Sequence, residues 1–356
     1  MGTLSAVLDT VTSRIHGCVR AGVSTGGAVV KPIATVVVRH LPRKVTEFGV
    51  GHRAIGIANG MFGEYAVSRG GELPAAMTIR LSHRRVDLDH AALAAAFPSA
   101  SGRIVVFLHG LVETERSWFH QSNLAKGRTG TDFGARLVED HSATAVYLRY
   151  NTGRHVSDNG RELVGLLSAL VERWPTEVNE IVLIGHSMGG LVARSALHQA
   201  QALAMPWISK VTRLVCLGTP HTGAPLERGV AGAAALLSRF ATAAPLVGLL
   251  ALRSDGIKDL AQGYLHQEQW LDQDGEAPDP VATVLPAGVR QYFVAVTLSR
   301  TEGSLWGRLI GDLLVVPTSA ADRTQSADFQ WFGGMNHFDL LRHDTIYDAV
   351  LTWLRS

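Results

Sequence analysis

The chain has 356 residues, 46% of them hydrophobic and 18% charged, with a formal net charge of +2. That length supports a large core, and the near-neutral balance excludes a dedicated nucleic-acid binder, which needs a strongly basic face. Two cysteines, Cys18 and Cys216, exclude a disulfide framework and fit a reducing, cytoplasmic setting.

Residues 1–55 differ from the rest. The opening "MGTLSAVLDTVTSRIHGCVR" lacks a basic start followed by a continuous apolar run, so no signal peptide is expected. Two helix-like runs flank "GVSTGG". They carry Arg14, Arg20, Lys31, Arg39, Arg43, Lys44 and Arg53 against Asp9 and Glu47. The expectation is an N-terminal helical extension packed on a domain that spans residues 56–356. The alternative is a basic, apolar-faced helix in peripheral contact with an anionic membrane or lipid surface.

From about residue 76 the pattern becomes that of strands and helices. "AMTIRL" and "RRVDLD" form a strand pair around "SHR". Short apolar runs then alternate with helical spacing. The predicted strands are 103–109, 144–150, 180–186, 213–218 and 291–298. Helices are predicted near 131–140, 160–173 and 188–203. The runs are rich in Val, Ile and Leu with little polar alternation, as when helices cover both faces of a parallel sheet. The predicted class is α/β: a mostly parallel, doubly wound sheet. Cys216, inside "RLVCLG", reads as an inert buried thiol. The connection between "RLVCLGTPHTGAP" and "QYFVAVTL" holds roughly 65 residues, against the handful usual for such links. Residues 226–285 therefore read as a helical cap insertion. Its apolar stretch 231–252 could span a bilayer by length, but Arg239 and Pro245 interrupt it.

"EIVLIGHSMGGLVARSAL" (180–197) concentrates the chemistry. Gly185-His186-Ser187-Met188-Gly189 fits G-x-S-x-G between a predicted strand and a predicted helix, the setting of a nucleophile elbow. Glycines let backbones approach too closely for a Cβ, and the helix N-terminus favours developing negative charge. Ser187 is the candidate nucleophile. A serine needs a base. His337 in "GGMNHFDLLRH" is the candidate, with His343 the runner-up. The acid follows the serine in chain order, and Asp312 in "GDLLVVPTSA" is the candidate, ahead of Asp322 and Asp339. An oxyanion hole needs two backbone N–H donors: Met188, after the nucleophile, and Leu111, in the loop after "VVFLHG", where Gly110 is expected to permit a sharp turn. His109 is expected to support that loop, and His221 in "TPHTGAP" to be structural.

These blocks resemble the α/β-hydrolase superfamily and, more narrowly, bacterial lipase/esterase-like proteins related to the GPI inositol-deacylase type. The resemblance is carried by "FLHGLVETERSW", "YLRYNTGRHVSDNGREL", "GHSMGGLVARSA", "GTPHTGAPLERG", "SDGIKDLAQGYL", "GDLLVVPTSA" and "NHFDLLRH". It spans roughly residues 50–356 and does not extend to 1–45. It implies carboxylic-ester hydrolysis through an acyl-enzyme, with Ser187, Asp312 and His337 matching the triad and no cofactor. Some bacterial lipases hold a calcium near the catalytic histidine. Asp339 falls two residues after His337, but one aspartate does not make a site for a cation that takes six or more oxygens, and no metal is expected. Small-molecule or lipid esters are the expected substrates. A thioesterase, amidase or acyltransferase could use the same triad, and a non-catalytic scaffold is the reading from another class.

Overall fold

The computed structural model describes residues 76–119, 132–221, 223, 254–271, 283, 285–297 and 327–356. The N-terminal extension, most of the expected cap and Asp312 lie outside the described residues.

The chain enters through the hairpin β1 (Thr78–Leu81) and β2 (Arg84–Val86). Ser82 and His83 turn it with φ of 47° and 69°. Helix α1 (His90–Ala96) follows, capped by the Asp89 carboxylate on the Ala92 N–H. Then come β3 (Arg103–Leu108), α2 (Phe133–His141), β4 (Thr144–Arg149), α3 (Val156–Arg173), β5 (Glu180–His186), α4 (Met188–Ala202) and β6 (Val211–Leu217). Helices α5 (Asp255–Gln262) and α6 (Gln267–Leu271), strands β7 (Arg290–Thr297) and β8 (Ala327–Gly333), and helix α7 (Asp344–Arg355) complete the described order.

The eight strands make one sheet, ordered β2-β1-β4-β3-β5-β6-β7-β8. β1 is antiparallel to both neighbours, and the pairs from β4 to β8 are parallel. The central strands are buried on both faces, which is why they lack polar alternation. Their two side-chain sets go to separate cores, as the two-residue period of a strand requires. Ile104, Val106, Leu108, Ile181 and Leu183 pack with Leu93 of α1 and the apolar stripes of α3 and α4. Val105, Phe107, Val182, Ile184 and Val215 pack with Phe133 and Leu137 of α2 and Ile346, Val350 and Trp353 of α7.

Two boundaries depart from the sequence reading, each for a physical reason. Helix α3 begins at Val156, not near 160. Its N-terminal cap comes from far along the chain: the Asp259 carboxylate of α5 accepts from the Val156 N–H at 2.8 Å. "SDNG" looks like a turn, yet Gly160 is helical and serves close packing, since a Cβ there would stand 2.7 Å from Ser195 Oγ of α4. Strand β8 was not anticipated because "ADFQWFG" does not resemble the buried apolar runs. It is an edge strand, and Asp328, Phe329 and Gln330 are exposed.

Within the expected cap, α5 and α6 are described. Ile257 and Leu260 join the core on the α3–α4 side. A Cβ on Gly256 would stand 2.0 Å from the Thr152 carbonyl oxygen, so α5 lies directly on the loop after β4. The His155 ring stacks on Trp270 of α6 at 3.8 Å between centroids. Among the described residues no helix is long and apolar enough to cross a membrane.

A buried ion pair holds the loop after β3. Glu115 and Arg149 are 1% and 2% exposed, with contacts of 2.6 Å from Nε and 2.5 Å from Nη2. Burying both charges is costly, and removing one partner strands the other, at about 3–5 kcal/mol. Glu115→Ala should therefore lower the unfolding free energy by about that amount, read from urea denaturation at neutral pH. A loss under about 1 kcal/mol would show that the pair is dispensable.

Candidate active site

The loop after β3 and the β5–α4 junction meet at the C-terminal edge of the sheet. Ser187 sits at that junction with φ 51° and ψ −120°. A non-glycine residue in this region is strained by roughly 1–3 kcal/mol and persists only where its surroundings enforce it. Here the enforcement is visible. The Ser187 N–H donates to the Leu217 carbonyl oxygen of β6 at 2.8 Å. The flanking glycines have no room for a side chain: a Cβ on Gly185 would stand 2.4 Å from Gly190 N, and one on Gly189 would stand 2.5 Å from the Leu108 carbonyl oxygen. The elbow expected from the motif is therefore present. Ser187 is 8% exposed.

Gly110 approaches the same point. A Cβ there would stand 3.1 Å from Ser187 Cβ, from His186 Nδ1 and from Glu113 Oε2. This corrects the role expected of Gly110. Its φ is not positive; the sharp turn is made by Val112, with φ 58°. Glycine at 110 eases a close approach, and the strain falls on a β-branched residue two positions on. The Glu113 N–H closes the turn on the Gly110 carbonyl oxygen at 3.2 Å.

Hydrogen bonding sorts the donors of this loop. The Gly110 N–H goes to Glu113 Oε2 at 2.7 Å, and the Val112 N–H to Thr152 Oγ1 at 3.2 Å. With the Glu113 N–H also committed, Leu111 holds the one N–H of residues 110–113 that has no acceptor among the described residues. The Met188 N–H, at the start of α4, likewise has none among the described residues. These are the two donors expected from the sequence.

His337 begins a short 3₁₀ helix, His337–Leu341, just after β8, and is 2% exposed. Its ring lies on Gly218, where a Cβ would stand 2.9 Å from the ring Cε1. Gly218 follows Leu217, the residue that holds the Ser187 backbone, so candidate nucleophile and candidate base converge on one pair of residues. Gly218 adopts φ 62°. The runner-up His343 is exposed and caps α7 through the Thr345 N–H. Asp339 is engaged elsewhere: Oδ2 accepts from the Asn336 N–H at 2.9 Å and Oδ1 from Arg342. Asp312 and Asp322 lie outside the described residues.

Two largely buried titratable residues at this junction, Glu113 and His186, were not singled out from the sequence. Glu113 Oε2 lies 3.0 Å from His186 Nδ1, and His186 Nε2 lies 3.3 Å from the His337 carbonyl oxygen. Burial alone would raise the Glu113 carboxyl. The charge and hydrogen bond of His186, with the Gly110 N–H, outweigh it and hold the carboxyl down at about 2. Glu113 could have been suspected as a lone acid in a post-strand loop, but nothing in the sequence names its partner.

His109 and His221 are structural, as expected. His109 is fully buried, stacks on Tyr150, and takes the Tyr150 N–H on Nε2 at 3.3 Å. His221 is buried between Phe293 and Arg194. Among the described residues no group of three or more His, Cys, Asp or Glu side chains is placed to hold a metal ion.

Burial pushes His109 down to about 4. A histidine lowered in the folded state stabilises fully above its unfolded value of about 6.5, and that contribution is lost as pH falls towards 4. Between pH 7 and pH 5 the wild type should lose about 2 kcal/mol from this group. His109→Gln should lack that part of the slope in urea titrations at the two pH values. Parallel slopes in both proteins would refute the assignment.

A family model for the PGAP1-like alpha/beta domain matches residues 99–240. A comparison with the curated proteins found no match. Among solved structures, a lipase of Bacillus licheniformis in its mature form is 21% identical, covering 71% of this chain and 91% of its own, with a TM-score of 0.47. An esterase of Pyrococcus furiosus is 12% identical, covering 72% and 82%, with a TM-score of 0.43. Naproxen esterase from Bacillus subtilis is 14% identical, covering 70% and 83%, with a TM-score of 0.37. The PGAP1-like match over residues 99–240, the mostly parallel eight-stranded sheet and the strained serine elbow between β5 and α4 are together consistent with the α/β-hydrolase fold.

Proposed function

We propose that the chain is a serine carboxylic-ester hydrolase that works through an acyl-enzyme on acyl esters or lipids. The observation that carries the reading is the convergence of three elements on one point. Ser187 stands at φ 51°, Gly110 approaches it to contact, and His337 lies on the residue next to its backbone anchor.

In this reading Ser187 Oγ bonds to the ester carbonyl carbon while His337 takes its proton. The carbonyl oxygen becomes an oxyanion held by the N–H groups of Leu111 and Met188. Collapse expels the alcohol, which receives the proton from His337. Water then gives a proton to His337 and its oxygen to the acyl carbon, the acid leaves, and Ser187 recovers its proton. Asp312 is proposed to orient His337 and to stabilise its charged form. The apolar sequence of the proposed cap, 231–252, favours an acyl chain over a small polar group. Peripheral contact with a lipid surface through residues 1–55 remains a proposal of the same standing.

Hydrolysis of p-nitrophenyl esters from acetyl to palmitoyl, by wild type and Ser187→Ala, tests the reading. Loss of about 10³-fold or more in kcat is expected for the variant, with a similar loss for Asp312→Asn through the wrong histidine tautomer. Full activity in Ser187→Ala would end the serine mechanism. A fluorophosphonate that labels Ser187 in a wild type inert on every ester would keep the nucleophile and discard the substrate class.

A further inference from the structure

The Glu113–His186 pair is not part of the proposed triad, yet it bonds to the loop after β3, adjoins Ser187 in the chain and reaches the backbone of His337. A single carboxylate oxygen, Glu113 Oε2, meets the Gly110 N–H at 2.7 Å, His186 Nδ1 at 3.0 Å and Ser117 Oγ at 3.1 Å. The other ring nitrogen of His186 meets the His337 backbone oxygen at 3.3 Å. The two histidine rings lie 4.7 Å apart between centroids. His186 is 1% exposed and the Glu113 side chain 10%. The packing is tight: a Cβ on Gly110 would stand 3.1 Å from Glu113 Oε2, His186 Nδ1 and Ser187 Cβ at once.

We propose that Glu113 and His186 are positioning residues for the hydrolysis: one buried ion pair that ties the oxyanion loop, the nucleophile elbow and the backbone of the base together. The inference rests on the reading of Ser187 and His337 given above.

The argument begins with the hydrogen-bond inventory. An ionised carboxylate and a backbone carbonyl only accept. Each ring nitrogen of His186 therefore faces an acceptor, and the geometry calls for a proton on both. The groups facing the ring fit this assignment: Glu113 at Nδ1, the His337 carbonyl at Nε2, the edge of Trp118 at 6.4 Å, and the His337 ring. His109, the buried histidine at the start of this loop, is held down at about 4 by burial and so carries no charge at neutral pH. His186 is thus the group that balances Glu113.

The consequence is preorganisation. By taking the Gly110 N–H, Glu113 commits that donor and leaves the Leu111 N–H as the loop's remaining one. It also holds Val112 in its strained turn. His186 passes the restraint to the residue beside Ser187 and to the backbone at His337. Misplacing an oxyanion donor costs rate more than binding, because the donor acts on charge that develops in the transition state.

The test combines kinetics with a spectroscopic signature. In ¹⁵N-histidine-labelled wild type at neutral pH, His186 (assigned with His186→Asn) should carry protons on both ring nitrogens, and in Glu113→Gln on one. Glu113→Gln should lower kcat on p-nitrophenyl esters about 10–100-fold with KM within about twofold, and slow fluorophosphonate labelling of Ser187 equally. A His186 ring with one proton in the wild type overturns the ion pair, whether or not the variant folds. A folded Glu113→Gln with unchanged kcat overturns the positioning role. A wild type inert on esters but labelled at Ser187 refutes the proposed substrate class, and the labelling rates and the His186 spectrum still decide the role of the pair.

Discussion

The backbone of Ser187 is the constraint on which the rest of the site depends. A serine at φ 51° is strained, and isolated chains would relax it. The sheet prevents this. The Ser187 N–H is anchored on β6, Gly189 is pressed against the end of β3, and Gly185 against the first turn of α4. Three parallel strands must be in register before the turn can exist. The stability of the doubly wound core is therefore what holds Ser187 in place, at the edge where helix N-termini and strand ends leave backbone donors.

A second layer of order lies in buried polar contacts that cross between elements. Glu115 pairs with Arg149 and fixes the loop after β3 to the end of β4. Glu113 pairs with His186 and brings that loop to the elbow. Asp259 caps α3 from α5, and Ser195 Oγ of α4 donates to the Leu265 carbonyl oxygen at 2.6 Å. Each places a charged or polar group in the interior, where it is costly unless its geometry is satisfied. Such contacts contribute less net stability than apolar packing does. They do exclude alternative loop positions, which is what an oxyanion hole requires.

The strained residues are confined to this region and to short turns. Among the described residues, Val112 and Ser187 are the non-glycine residues of positive φ at the site itself, one in each loop that supplies a proposed oxyanion donor. A β-branched residue at φ 58° is a poor choice for a turn that any glycine could make. Here the turn is held from both sides, by the Gly110–Glu113 closure and by the Thr152 hydroxyl on the Val112 N–H. Strain that the surroundings over-determine gives a rigid donor in place of a flexible loop.

The central architecture and the elbow were legible in the chain itself because both are written locally. Buried parallel strands are continuous apolar runs, and Gly-His-Ser-Met-Gly between a strand and a helix has few structural uses. His337 was legible by its order in the chain. The edge strand β8, the true start of α3 and the real role of Gly110 were not, because each is set by a partner distant in sequence: an edge position in the sheet, the carboxylate of Asp259, the Cβ of Ser187. Glu113 and His186 carry no local pattern at all, since a hydrogen bond between residues 73 apart has no periodicity. The sequence alone determined the order of layers and the place of Ser187 at the turn between β5 and α4. Tertiary structure alone decided which backbone donors are spent and which charges meet, because those depend on distances across the fold that no local pattern encodes.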